Sequence, residues 1–279
     1  MSDSDEQDGN DTKAEGTIKA ITGLVKAVPV YEDALKPVAQ ETGKALGTVG
    51  RAVNAALLPM RGIVWGVEQI EEFVQARVAR KLESVPPENI QSPDLSVAGP
   101  ALESLRYTGH KDSLSDMYAN LLASSMDRET ASTAHPGFVE IIRNMASDEA
   151  RLIRYVFEKG MVPVVDIKRR RKDPSGEQLV KEVVGTYAYH AGCDHQDLGA
   201  AYMVNLERLG LVALRRGAHL TAEGVYDEIT EAPDVARLID LIDQEEGHTA
   251  AVDKFHVAIT PFGQQFGRAC VAPKFGRPT

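Results

Sequence analysis

Three groups of residues in this 279-residue chain have types and spacings that could do chemistry. His190-x-x-Cys193-x-His195, flanked by Asp194 and Asp197, offers nitrogen and sulfur ligands of the kind zinc accepts. A closed structural site takes four ligands, and no second pair at a characteristic spacing lies nearby. The competing reading is a polar loop with Asp194 or His195 near the cap of a following helix. Arg128 and His135, with six residues between them, pair a fixed cation with a side chain that can act as acid or base. Against this, Arg128 falls just past a helix end and His135 directly precedes Pro136, so a solvated charge and a helix-start residue explain both. Arg106 and His110 are spaced more closely and are expected at the surface. The third group, Lys168-Arg169-Arg170-Arg171-Lys172, could grip a nucleic-acid backbone or an anionic lipid surface, or be a solvated loop. It contains no aromatic to stack a base, which argues against single-strand binding. No phosphate-binding Gly-rich loop, nucleophile elbow or hydrolase triad is visible. The reading therefore leans to a non-enzymatic protein with no cofactor.

The elements that must position these residues follow from periodicity and punctuation. Residues 1–16 are acidic and Ser/Asp/Gly/Asn-rich, too poor in apolar surface to offset ordering entropy, and are expected to be a disordered tail. Helical spacing begins at Ile18, Ile21, Leu24 and Val25, stops at Pro29, and resumes from about Tyr31 to Leu58. Ile63, Val67, Ile70, Val74 and Val78 stripe an amphipathic helix that Pro86 and Pro87 close. Pro100 is expected in the first turn of the next helix, with Leu102 and Leu105. Ser113 to Asp116 resembles a capping box, opening a helix that buries Leu114, Met117, Tyr118, Leu121 and Leu122. Two further helices span 136–145 and 148–158, the second capped by Ser147.

After Gly160 the period changes. Strands are expected over 162–168 and 178–186, joined by Asp173-Pro174-Ser175-Gly176. A helix over 196–209 ends at Gly210, a short strand covers 211–214, and an acidic helix covers 234–246. A strand over 255–259 then leads to a last helix capped by Thr260 with Pro261 in first position. This order is that of a winged helix-turn-helix, although other small α+β domains share it. The expected fold is thus mainly α with a smaller α+β part: a helical domain over 17–160, then a winged-helix-like domain over 161–279.

Charge and composition narrow the function. The net charge is −10, which repels phosphate backbones unless a basic patch is local, and residues 151–220 do carry a net +4. The two cysteines, Cys193 and Cys270, lie far apart and give no disulfide framework. The acidic N-terminus is unlike a secretory signal, and no run approaches ~18 uninterrupted apolar residues. A cytoplasmic protein is expected. The exception to watch is 46–67, where Gly43/Gly47 and Gly62/Gly66 are spaced for close helix approach and Trp65 stands between Arg61 and Gly66. Gly62, Trp65 and Gly66 read either as packing inside a bundle or as a segment that lies on a membrane when the protein is active.

Several stretches resemble the abortive infection alpha family of bacteria: LLPMRGIVWGVEQIEEFV (57–74), GPALESLRYTG (99–109), MYANLLASSMD (117–127) and, most specifically, AHPGFVEIIRNMASDEARLI (134–153). NLERLGLV (205–212) and ITPFGQQF (259–266) are similar to the region that follows that helical core. The resemblance implies a role in phage defence by abortive infection and carries over no active site. The partner is an unknown phage or host protein trigger, with a homo-oligomer and a transient membrane or nucleic-acid contact as further candidates. Two alternatives stay open. One is an RNase-type toxin, since the Arg128/His135 spacing is similar to that of the HEPN-type ribonucleases. The other is a DNA-binding regulator using the 196–209 helix, whose polar face mixes Gln196, Asn205 and Arg208 with Asp197 and Glu207.

Overall fold

A computed structural model describes residues 51–52, 55–56, 73–109, 111–173 and 176–272. The expected tail, the helices up to residue 50, and Gly62, Trp65 and Gly66 lie outside the described residues. A π-helical turn, Val74–Val78, runs into a short α turn, Ala79–Lys81, and the chain breaks at Pro86 and Pro87 as their chemistry requires. Four helices follow: α1 Leu95–Thr108, α2 Asp112–Met126, α3 Gly137–Arg143 and α4 Ser147–Lys159. The mixed part then runs β1 Met161–Arg171, β2 Gly176–Val184, α5 Tyr187–His190, α6 Gly199–Arg208, β3 Val212–Arg215, α7 Asp227–Thr230, α8 Pro233–Gln244 and β4 His248–Ile259. The last helix, α9 Pro261–Phe266, continues as a π turn, Gly267–Val271.

The helix at the centre is α2. Leu114, Met117, Tyr118, Leu121 and Leu122 are all buried, as expected, but so are Ser115, Ala119, Asn120, Ala123 and Met126 on its other faces. Burial all round is possible because its small and polar residues find partners. Asn120 Nδ2 donates to the Cys270 carbonyl at 2.9 Å and Ser124 Oγ to the Ala269 carbonyl at 2.9 Å. The carbonyls at the C-terminal turn of a helix have no intrahelical partner, so these two bonds seat the end of the chain against its middle. Gly267 permits the approach: a Cβ there would fall 2.1 Å from the Phe157 ring on α4.

The sheet is four-stranded and antiparallel in the order β2-β1-β4-β3. One core cluster runs from α1–α4 through Val162, Val164, Phe255 and Val257 on one sheet face to α6 and the last helix. Helix gives way to strand at Gly160, and this core continues from the helices into the sheet. A second cluster, built on Val165, Ile167 and Val184, lies under α7 and α8 on the other face.

Several expected ends are corrected. Pro100 sits inside α1, not in its first turn, because Asp94 caps the helix six residues earlier, accepting from the Ser96 N–H at 2.8 Å. Helix α2 starts at Asp112, and Ser113 is no cap: its hydroxyl donates to the Ser147 carbonyl at 3.3 Å, tying α2 to α4. Ser147 is the first helical residue of α4, and the Ala146 N–H before it is held by the Glu149 carboxylate at 2.7 Å. Strand β4 begins seven residues earlier than expected, at His248, because β1 pairs with it along its whole length, from Met161 opposite Ala258 to Arg171 opposite His248. Strand β2 stops at Val184 and α5 takes the next turn.

Candidate binding cleft

A cleft of about 530 Å³ opens between the end of β2, α5, the start of α6, and α7 with α8. Its floor is apolar, from Val183, Tyr187, Ala188, Ala200, Ile229 and Val235, and its rim carries Lys181, Glu182, Thr186, Gln196, Asp197 and Asp234. An apolar hollow with a few polar groups at its mouth is the usual form of a binding site. Glycine makes it possible. A Cβ on Gly199 would lie 3.0 Å from Ala188, so α5 and α6 meet closely only without it, and one on Gly185 would lie 2.6 Å from the Tyr187 ring as the chain turns into α5.

The cleft wall holds one strained residue. Val183, buried at the end of β2, has φ 51°, a left-handed conformation that a β-branched residue rarely adopts. Three groups hold it there. Its N–H donates to Asp166 Oδ1 at 2.8 Å, and its carbonyl accepts from the Tyr187 hydroxyl. Asp166 is buried on β1 where the β1–β2 register shifts, and Arg216 reaches it at 3.0 Å while also facing Glu182 at 3.4 Å. Burial pushes the Tyr187 phenol far above its usual range, so it stays a donor at any physiological pH. The bulge is therefore built into the wall rather than left soft.

A second polar constellation joins α4 to the loop before α6. Asp148, buried, accepts from the Asp194 N–H at 3.0 Å and the His195 N–H at 2.9 Å, and pairs with Arg151 at 2.6 Å. Arg151 also reaches Asp194 at 2.7 Å. Burial by itself would raise the Asp148 carboxyl, but the two N–H groups and the guanidinium outweigh it and hold the carboxyl below the usual range. Next to it, Glu149 accepts from Asn205 Nδ2 of α6 at 2.7 Å. Both acids of the Asp148-Glu149 pair thus position α6, the helix that forms one side of the cleft.

The residues singled out from sequence are largely dispersed into structural roles. His190 faces Glu228 at 2.7 Å and stacks on Tyr155, whereas Cys193 is buried with its thiol 3.6 Å from the Asp148 carbonyl, and His195 is exposed. Among the described residues no group of three His, Cys, Asp or Glu is arranged to hold a metal ion. Arg128 is exposed, and its N–H bonds the Asn89 carbonyl at 3.0 Å. His135 Nδ1 accepts from the Gly137 N–H at 3.0 Å, and its ring lies against Phe138 and Phe262. That bond makes His135 a helix-start residue. Arg106 is exposed, and His110 lies outside the described residues.

The basic run does not form a free cationic tip. Lys168 pairs with Glu177 and Asp253, Arg169 with Glu245 at 2.8 Å, and Arg170 with Glu177 at 2.6 Å. Only Arg171 and Lys172 of the run make no ion pair among the described residues. Tertiary pairing explains this: the acids stand on β2, on β4 and at the end of α8, which sequence distance hid. Sequence reasoning missed Val183, Tyr187 and Asp166 altogether. Periodicity marks a strand there, but neither a bulge nor a positive φ at valine has a sequence signature. Asp148 was legible only as an acid in a first helical turn.

A family model described as abortive infection alpha matches residues 66–270. The chain belongs to the abortive infection alpha family. Five of the stretches that carried the resemblance, from Gly99 to Phe266, lie within the matched residues, and the one at 134–153 contains the Asp148-Glu149 pair that seats α6. Family membership links the chain to abortive infection. No curated protein matches it. A solved structure of an uncharacterized protein from the hydrocarbon-degrading marine bacterium Alcanivorax borkumensis SK2 is similar at 16% identity, over 50% of this chain and 92% of that one, with a TM-score of 0.34. No helix among the described residues is long and apolar enough to cross a membrane.

Proposed function

We propose that this family member acts in phage defence as a non-enzymatic recognition protein, working in the cytoplasm and engaging a phage or host protein through the cleft beside α6. The observation that carries this reading is the cleft itself: an apolar floor with a charged rim, closed by a helix seated on two buried or half-buried acid contacts. A winged-helix-like arrangement of the 161–279 part with α4 in front of it is supported by the order α4, β1, α5, α6, β3, β4, with β4 lying between β1 and β3 and β2 added outside. In that comparison α6 holds the recognition-helix position. Its exposed residues are Ala201, Val204 and Arg208, with Leu198 just before them. A DNA reader needs several cations and base-edge donors there. An apolar outward face fits a protein surface better. The RNase alternative loses support from the engagement of His135 by Gly137 and two phenylalanine rings.

The test is a phage challenge of bacteria expressing the full chain. Ala200→Trp places an indole into the cleft from half-buried ground, and is expected to abolish protection while the melting temperature and soluble yield hold. His135→Ala is expected to keep protection. Protection that survives a filled cleft, or that vanishes with His135→Ala at equal soluble expression, would sink the reading.

A further inference from the structure

A second hollow, of about 370 Å³, lies beside the first. Its walls are Gln178, Leu179 and Val180 of β2 and Leu238, Leu241 and Ile242 of α8. The larger cleft uses the next residues of the same two elements, Lys181 to Val184 of β2 and Asp234 and Val235 of α8. The two hollows are thus successive parts of one crease between an edge strand and a helix. Residues 178–184 of a strand span about 20 Å and residues 234–245 of a helix about 16 Å, room for five or six extended residues.

Three features point to what fills it. First, Leu179, Val180 and Leu241 are 47%, 42% and 57% exposed, and all three line this crease. Apolar residues scattered singly need no explanation, but a group rimming one groove marks an interaction surface. Second, β2 is at the end of the sheet order, so one side of its backbone has no strand partner among the described residues. An open edge beside a helix is the arrangement that takes an extended peptide as an added strand. The register shifts between β1 and β2, together with Lys181, guard that edge against indiscriminate pairing, which leaves selection to the crease. Third, residues 221–246, which form the helical wall and its flanks, hold nine Asp/Glu against Arg237 alone. The two cations at the crease are already spent across it, Lys181 on Asp234 at 3.4 Å and Arg169 on Glu245 at 2.8 Å. The field presented to a partner is negative.

We propose that the crease between β2 and α8 binds an extended, lysine- or arginine-bearing segment of a partner protein, with an apolar side chain of that segment seated in the larger cleft. The proposal rests on the recognition reading and names the chemistry of what is recognised. Strand addition along 176–179, where β2 pairs regularly with β1, supplies backbone bonds, and the acidic wall supplies selection for basic residues.

The probe is a fluorescein-labelled octapeptide alternating Lys with Val and Leu, set against the same peptide with Glu for every Lys. Fluorescence anisotropy is followed with the full chain. The basic peptide is expected to bind at least about tenfold more tightly than the acidic one. Because the whole chain is acidic, the deciding comparison is between two variants that add the same charge at exposed leucines. Leu241→Lys, in the crease, is expected to weaken binding about tenfold, and Leu95→Lys, on α1 and 45% exposed, less than about twofold. Equal loss in both variants would mean general charge attraction and would overturn the proposal. So would absent binding, or a wild-type dimer that Leu241→Lys dissolves, because the crease would then belong to a second copy. A phage challenge separates the two levels. If Leu241→Lys loses the peptide yet still protects, the crease binds peptides and the recognition reading falls. If no peptide binds while Ala200→Trp abolishes protection, the recognition reading stands and the peptide proposal falls.

Discussion

Replacing Asp148 tests whether the joint between α4 and α6 is held by one buried carboxylate. Its side chain is 4% exposed and serves two backbone N–H groups, those of Asp194 and His195, besides the Arg151 guanidinium. In Asp148→Ala each N–H loses its acceptor, at about 1–3 kcal/mol where water cannot substitute. Asp194 and His195 are exposed residues, so water can take over in part and the lower half of that range applies. Arg151, 34% exposed, keeps Asp194 and adds little. The sum is about 3 kcal/mol, a large fraction of the 5–15 kcal/mol that typically holds a domain folded. Asp148→Asn keeps the shape and one acceptor and should cost about 2 kcal/mol, since its NH₂ faces a donor. Urea titration at pH 7 should show midpoints lower by about 1–2 M. The carboxyl is held below its unfolded value, so its contribution is complete above about pH 4 and is lost as pH falls through the folded value. The gap between wild type and Asp148→Asn should therefore narrow as pH falls below about 4. A cost for Asp148→Ala under about 0.5 kcal/mol, or a gap that does not change with pH, would refute the reasoning.

Three further outcomes follow from the same geometry. Burial pushes the Cys193 thiol up to about 11 and Cys270 well above the usual thiol range, so neither should react with a disulfide reagent at pH 8 until urea is added, and prompt release of one equivalent would contradict this. Gly267→Ala forces a methyl onto the Phe157 ring and should cost about 1–3 kcal/mol, read as a melting temperature lower by several degrees; an unchanged melt would mean the last turn is not seated as described. Changing Arg169, Arg170 and Arg171 together to Ser should alter the salt dependence of any duplex-DNA binding no more than Arg171→Ser alone, because the first two are neutralised by Glu245 and Glu177; a slope reduced by about three would show phosphate contacts at all three.

Local order in this protein was legible from the sequence wherever a short-range rule applied. The prolines at 86 and 87 break the chain, the buried stripe of α2 follows its spacing, and Thr260-Pro261 opens the last helix, with the Thr260 hydroxyl accepting from the Gly263 N–H at 2.8 Å. Caps, turns and periodicity act over a few residues, so a few residues suffice to read them. The mixture of helices with an antiparallel sheet and the membership of the abortive infection alpha family were likewise written along the chain. What tertiary structure decided were the pairings between distant segments. The full length of β4 depended on β1, some ninety residues away. The basic run lost its free charge to acids on β2, β4 and the end of α8. His190, Cys193 and His195, adjacent in sequence, went to different environments because a turn points successive side chains apart. The cleft has no sequence signature, since its walls come from five elements and its strained valine is held by a carboxylate from another strand. A hydrogen bond or ion pair depends on distance in space, and only the closed chain sets that distance for residues far apart in sequence.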